Sequence, residues 1–296
     1  MSINLQQIKY PLGKPYFETE DCLLYAGDCL ELNKNIKEPI IDLTVTSPPY
    51  NIGKEYEKPL PLENYLEWCR SWIKEIHRIT KPQGAFWLNI GYLEIQGKAK
   101  AVPIPYLLWD KTPFFLIQEV VWNYGAGVAS KYFFSPRNEK LLWYVKDREN
   151  YIFNLDDVRD KNVKYPNQKK NGILKCNPLG KNPSDVWQIP KVTSGKNRSS
   201  KERTSHPAQF PIALIDRIVK VGSNEGDIVM DPFFGSGTSA IVAIANKRKF
   251  IGFEIEPKYC DIAVQRIKRY MNYPQTMSLF DFAAIGQLTS NSQLDY

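Results

Sequence analysis

The stretch DIVMDPFFGSGTSAIVAIANKRKFIGFEIEP, residues 227–257, decides the fold class of this 296-residue chain. It begins with a short apolar run ending at Asp231, the pattern of a buried strand. Gly235 and Gly237 then interrupt it where the backbone must turn sharply and let a ligand approach the main chain. From Thr238 the chain turns helical, and KFIGFE supplies the next strand. Strand, glycine turn, helix and strand form one crossover unit of a parallel sheet. Glu254 ends the second strand about twenty residues past the glycines, where an acid can grip ribose hydroxyls. The unit reads as an adenosine-type cofactor site at the carboxyl edge of the sheet.

The hexad GSGTSA also satisfies the dinucleotide pattern G-x-G-x-x-G/A, so the glycines alone leave a nicotinamide cofactor open. Asp231 and the phenylalanines in front of them point elsewhere. A pyrophosphate favours backbone amides at a helix N-terminus without a carboxylate beside it. S-adenosylmethionine, which carries an ammonium and a sulfonium, would welcome that acid.

Working outward, IIDLTVTS (residues 40–47) reads as another buried strand that runs into PPYN. Two adjacent prolines suit neither a strand ladder nor a helix interior, so the strand ends in a rigid polar turn. Residues 65–80 place Leu66, Cys69, Trp72, Ile73, Ile76 and Ile79 on one face of an amphipathic helix. KPQG is expected to end that helix, and AFWLNI to form the next strand. FFLIQEVVWNY and EKLLWYVKD predict two further strands paired with each other. PIALIDRIVKVG (residues 211–222) is a helix opened by proline and closed by glycine, and YCDIAVQRIKRYM is another. The alternation argues for an α/β fold with a mostly parallel sheet.

Bulk properties narrow the function classes. The N-terminus MSINLQQIKY lacks the layout of a signal peptide and no apolar run reaches membrane-spanning length, so a cytoplasmic protein without membrane contact is expected. Five cysteines without C-x-x-C spacing and two histidines argue against a structural zinc site and fit a reducing compartment; no metal is expected. The net charge of +7 is concentrated: residues 158–204 hold twelve Lys/Arg against three Asp/Glu. Such a stretch is either a solvated basic loop or a polyanion footprint. Rich in Lys, Asn, Pro and Ser, residues 147–205 read as an insertion rather than core.

TSPPYN resembles the catalytic motif of amino-group DNA methyltransferases, (Asp/Asn/Ser)-Pro-Pro-(Tyr/Phe/Trp), and DPFFGSGT resembles the same family's S-adenosylmethionine motif. The catalytic motif precedes the cofactor motif by about 180 residues, which matches the family's β-type circular order. YAGDCLE resembles its Gly-Asp element, GKNPSDVWQIP the segment before the cofactor half, and HPAQFP its His-Pro-x-Gln-x-Pro motif. GFEIEPKYCDIAVQRI resembles the element that carries the ribose-binding acid.

The resemblance implies a circularly permuted, Rossmann-like S-adenosylmethionine-dependent methyltransferase. Residues 1–146 would be the catalytic half, 147–205 a target-recognition insertion, 206–274 the cofactor half and 275–296 a tail. Ser47, Pro48, Pro49 and Tyr50 would be catalytic, and Asp28, Thr46, His206, Asp231, Phe233, Gly235, Gly237, Thr238 and Glu254 would hold the cofactor. The partner would be double-stranded DNA, met by Lys164, Lys169, Lys170, Lys196, Arg198, Lys201 and Arg203. A homodimer and a separately acting restriction endonuclease are further expectations. Ser47 Oγ and the Pro48 carbonyl would accept the hydrogens of an exocyclic amino group, whose lone pair is otherwise delocalised into the ring. Tyr50 would stack on the extruded base. The chain contains no Pro-Cys dipeptide, which carbon-5 cytosine enzymes use. N4 of cytosine is the expected target, since Ser-Pro-Pro-Tyr tends to accompany it, with N6 of adenine as the alternative. A protein or RNA amino-group methyltransferase and a non-enzymatic nucleic-acid binder stay open.

Overall fold

The computed structural model describes residues 5–125, 127, 129–192, 202–273 and 278–285. Helix α1 (Leu5–Leu12) leads into strands β1 (Phe17–Glu18) and β2 (Cys22–Ala26), helix α2 (Cys29–Asn33), strand β3 (Ile41–Thr46) and helix α3 (Leu62–Ile79). Strands β4 (Thr80–Ile90), β5 (Tyr92–Ile95) and β6 (Ala99–Pro103), helix α4 (Pro105–Leu108), and strands β7 (Phe115–Asn123) and β8 (Asn138–Val145) follow. Short strands β9 (Lys169–Lys170), β10 (Ile173–Leu174) and β11 (Val186–Gln188) precede α5 (Ile212–Gly222), β12 (Ile228–Asp231), α6 (Thr238–Ala245), β13 (Lys249–Glu254), α7 (Pro257–Met271) and α8 (Leu279–Ile285).

The main sheet runs in the order β1-β2-β13-β12-β3-β4-β8-β7-β11. Its five central strands, β2 to β4 in that order, are parallel; β8 is antiparallel to both β4 and β7, as the paired-strand expectation requires. From β12 the chain crosses through α6 to β13 on one side, and from β3 it crosses through α3 to β4 on the other. The carboxyl ends of β12 and β3 therefore part at a topological switch point, where an α/β sheet leaves a crevice.

Alternation along the strands supplies two cores, one on each face. Leu43, Val45, Trp87 and Val229 pack with α5 and α6, while Ile41, Phe86, Leu88 and Met230 pack with α3. Aromatic stacking ties the first core to the antiparallel edge: the Trp87 ring lies 5.2 Å from Trp143 and 5.7 Å from Trp187.

Two elements differ from the expectation. KPQG lies inside β4 instead of separating it from α3: the register against β3 shifts from Ile41↔Thr80 to Leu43↔Ala85, and this bulge leaves Pro82 without a ladder partner. The basic stretch is also not wholly outside the core. Its β11 adds a parallel strand beside β7, and Trp187, Ile189 and Val192 are buried. Among the described residues no helix is long and apolar enough to cross a membrane.

Candidate active site

A cavity of about 590 Å³ opens at the switch point, lined from both halves of the sheet. On one side lies the glycine turn. Gly235 sits at φ +50 and Gly237 at φ +75, a backbone region that costs other residues about 1–2 kcal/mol. The two glycines serve different neighbours. A Cβ on Gly235 would fall 2.7 Å from His206 Nε2, whereas one on Gly237 would strike Ala263 of α7. Gly235 thus makes room for the His206 ring and Gly237 lets two helices meet.

Glu254 closes this side. Its Oε2 accepts from the Gly235 amide at 3.0 Å and its Oε1 from the Glu256 amide at 2.9 Å. Burial holds its carboxyl above the ordinary range. Asp28 follows the neighbouring strand β2, where the Gly27 amide donates to the Glu254 carbonyl at 2.9 Å, and caps α2 by accepting from the Leu30 amide at 2.7 Å. His206 hangs over the glycine turn from a loop closed by buried Gln209, which accepts from Thr204 and donates to the Glu202 carbonyl. Its Nδ1 accepts from the Ala208 amide, which leaves Nε2 as the donor of a neutral imidazole. Burial, reinforced by the Arg266 charge, depresses its pKa from 6.5 to about 4, so it is neutral at physiological pH.

Asp231 occupies a different place from the one expected for an acid facing an ammonium. It is 1% exposed, and its Oδ1 accepts from Thr46 Oγ1 at 2.6 Å and the Phe233 amide at 3.0 Å. Its Oδ2 accepts from Ser239 Oγ at 2.6 Å. Burial raises its pKa from 3.8 to about 6 despite these three donors. Asp231 and Thr46 lie behind the cavity wall and bind β12 to β3; Gly237 likewise does not line the cavity. Phe233 and Thr238 do.

The serine–proline turn forms the other side. Tyr65 of α3 donates to the Pro49 carbonyl at 2.8 Å and pins the turn. Tyr50 passes Gly91 so closely that a Cβ there would meet its ring at 2.9 Å. Its hydroxyl donates to Glu139 Oε2 at 3.0 Å and receives Asn89 Nδ2 at 2.6 Å. Ser47 Oγ lies 2.9 Å from the same hydroxyl. Because Tyr50 has one proton and gives it to Glu139, the Ser47 proton goes to Tyr50; Asn89 Nδ2 approaches one Ser47 lone pair at 3.4 Å, and the other remains available as an acceptor. Burial, together with the Glu139 charge, pushes the Tyr50 phenol well above its ordinary pKa and keeps it a donor. Asn89 Nδ2 also donates to Glu139 Oε2 at 2.8 Å, and Lys191 pairs with Glu139 Oε1 while its Nζ lies 3.9 Å from the Tyr124 ring centroid.

Asn89, Glu139 and Lys191 were not among the residues singled out from sequence. Each is an ordinary polar residue in a strand or loop, without a motif around it. Of the expected DNA-contacting residues, Lys169, Lys170 and Arg203 are exposed and Lys164 lies over the Tyr165 ring. Lys196, Arg198 and Lys201 lie outside the described residues.

Residues 41–265, which span both rims of this cavity, match the family model described as DNA methylase, N6/N4 type. The chain belongs to the N6/N4 DNA methylase family. The Type II methyltransferase M.ScaI of Streptomyces caespitosus is 63% identical to this methylase over 268 residues, covering 90% of this chain and 88% of the relative. The DNA adenine methyltransferase YhdJ of Escherichia coli is 33% identical over 288 residues, covering 94% of each. Among solved structures, the PvuII cytosine-N4-specific DNA methyltransferase superimposes with a TM-score of 0.67 at 23% identity, covering 91% of this chain and 92% of that one. Its likeness establishes the shared fold.

The family is S-adenosylmethionine-dependent. The cavity of this methylase fits that cofactor on its own chemistry. Two carboxylates, Asp28 and Glu254, line a crevice that also offers the Phe233 ring, and the side-chain-free Gly235 lets the His206 ring lie close against the turn. The neutral Nε2–H of His206 adds a donor at the same turn.

Proposed function

We propose that this DNA methylase transfers a methyl group to N4 of a cytosine flipped out of duplex DNA, as the modification activity of a restriction-modification system. The observation that carries this reading is the single cavity in which Ser47, Pro48, Pro49 and Tyr50 face the glycine turn. Bound S-adenosylmethionine supplies an activated methyl group on a sulfonium. Asp28, His206, Phe233, Gly235, Thr238 and Glu254 hold it, and Thr46, Asp231 and Gly237 keep the turn in shape from behind.

Ser47 Oγ and the Pro48 carbonyl accept the two hydrogens of the target amino group. This draws the nitrogen towards tetrahedral geometry and exposes a lone pair that conjugation otherwise occupies. The Glu139–Tyr50–Ser47 chain of hydrogen bonds fixes Ser47 as acceptor rather than donor. Tyr50 stacks on the base. Positioning supplies much of the rate, and no covalent enzyme intermediate is required. Lys164, Lys169, Lys170 and Arg203 hold phosphates within a target-recognition segment spanning residues 147–205, so affinity falls with salt.

Cytosine is supported by the neutral Ser47 at the head of the motif, and the restriction-modification role by the likeness to M.ScaI, a Type II methyltransferase. The likeness to an adenine methyltransferase over 94% of the chain favours a second reading, N6 of adenine. Unmethylated plasmid DNA treated with the protein and S-adenosylmethionine, then digested to nucleosides for mass spectrometry, distinguishes them. N4-methylcytosine is expected; N6-methyladenine would replace the first reading by the second, and neither would overturn both. Sequencing the same DNA for modified positions gives the site.

A further inference from the structure

Between β7 and β8 the chain makes a long turn whose two stems belong to the cavity wall. Tyr124 and Trp122 line the cavity from the β7 side, and Pro136 and Glu139 from the β8 side. The Tyr124 amide donates to the Arg137 carbonyl at 3.0 Å and closes the base of the turn. Its tip is shaped as well. Ser135 Oγ accepts from the Ser130 amide at 3.0 Å, and Ser130 Oγ accepts from the Tyr132 and Phe133 amides, each at 3.3 Å. These bonds set three consecutive aromatic side chains outward: Tyr132 is 95% exposed, Phe134 fully so, and Phe133 half-exposed.

Three adjacent aromatic rings held in water by an ordered turn are unusual, because such rings normally find cover in the core or at an interface. The charge around them selects the partner. From Tyr124 to Asn138 the chain carries Lys131 and Arg137 and no Asp or Glu. A basic, aromatic-tipped turn beside a cavity that must receive a base suits nucleic acid. Extruding a base leaves a gap in the stack, and apolar side chains inserted at such a step compensate part of the unstacking cost.

We propose that residues 130–136 form a wedge that enters the duplex at the target step, with Phe134 and Tyr132 stacking in the space the extruded base leaves. The wedge rests on the DNA methylase reading and adds to it a surface distinct from the basic segment of residues 147–205. That segment holds phosphates; the wedge acts on the base stack, directly at the cavity rim.

The test uses the full-length protein and two duplexes containing its mapped site. In one the target base is paired normally; in the other it faces an abasic residue, so little pairing is lost on extrusion. The Tyr132→Ser/Phe134→Ser variant is expected to methylate the paired duplex about tenfold more slowly or worse, in line with the stacking contribution of an aromatic side chain. On the abasic-opposed duplex the loss should be much smaller. Phe134→Leu, which keeps an apolar wedge, should restore most activity on the paired duplex when Tyr132 is retained. Equal losses on both duplexes, or none on either, would overturn the wedge. A loss on both accompanied by a change from dimer to monomer in sedimentation would reassign the rings to contact between copies of the chain. Wild-type protein that leaves plasmid DNA unmethylated, so that no site can be mapped, would instead overturn the underlying reading.

Discussion

The turn after β12 and the turn after β3 face each other across one cavity, yet they are held in different ways. The glycine turn is fixed largely by its own neighbourhood. Asp231 reaches Phe233 and Ser239 two and eight residues on, and Gly235 reaches Glu254 after nineteen, with one long tie from Thr46 to Asp231 across 185 positions. The serine–proline turn depends on residues from afar. Tyr50 bonds Glu139 across 89 positions and Asn89 across 39, and Lys191 reaches Glu139 across 52. A cofactor common to a whole family can be met by a local backbone shape. A particular base has to be met by side chains that several strands bring together.

The two rims should separate most clearly at Ser47. Replacing it with alanine removes a positioned acceptor and should lower turnover by about 10²–10³-fold, the scale seen when one hydrogen-bonding group is lost at a reacting centre. S-adenosylmethionine affinity, measured by calorimetry, should stay within a factor of about two. Equal losses in both would mean that the two rims are one unit.

His206 tests the glycine side through pH. Its folded pKa of about 4 lies below the ordinary 6.5, so the unfolded chain takes up a proton in that interval before the folded chain does. Its contribution to stability is therefore complete above about pH 6.5 and is lost as pH falls towards 4, by about 3 kcal/mol. Asp231 runs the other way. Its folded pKa of about 6 exceeds the ordinary 3.8, so its share is complete below about 3.8 and lost as pH rises through 6. In wild type the two partly offset each other between pH 4 and 6. The His206→Gln protein should lose the acid-side term, and urea titrations at pH 4, 5 and 7 should show its stability relative to wild type rising as pH falls.

Gly235→Ala sharpens the same side. The new methyl group would meet His206 and the backbone would be held at φ +50, a cost of about 1–2 kcal/mol. The loss should be read mainly in cofactor affinity, about tenfold. Glu139→Gln carries an effect of similar size, in turnover rather than affinity. Its amide can donate to Tyr50, so Ser47 is no longer held as acceptor, and kcat should fall about tenfold with cofactor binding unchanged. An unchanged kcat would remove the polarity argument.

Much of the fold was legible because it rests on periodicity. The apolar face of α3, the proline and glycine bounding α5, and the crossover from β12 to β13 all follow from consecutive residues. The reading of KPQG as a break failed because a bulge can absorb proline, and that depends on the partner strand. The reading of residues 147–205 as outside the core failed at Trp187 for a related reason: β11 is three residues long and owes its place to pairing with β7.

The site divides along the same line. The two turns, their order and the backbone freedom that Gly235 needs follow from consecutive residues, since torsional preferences act over a few neighbours. Tertiary packing settled that Asp231 turns inward to Thr46 and Ser239, that Gly237 serves a helix contact, and that Asn89 and Glu139 converge on Tyr50 with Lys191 paired to Glu139 behind them. Those outcomes depend on the register of β3 against β12 and of β4 against β8, where parallel and antiparallel pairing bring distant side chains within hydrogen-bonding distance. Local chemistry marked where a methyl donor can sit, and sheet packing set the groups that would receive the base beside it.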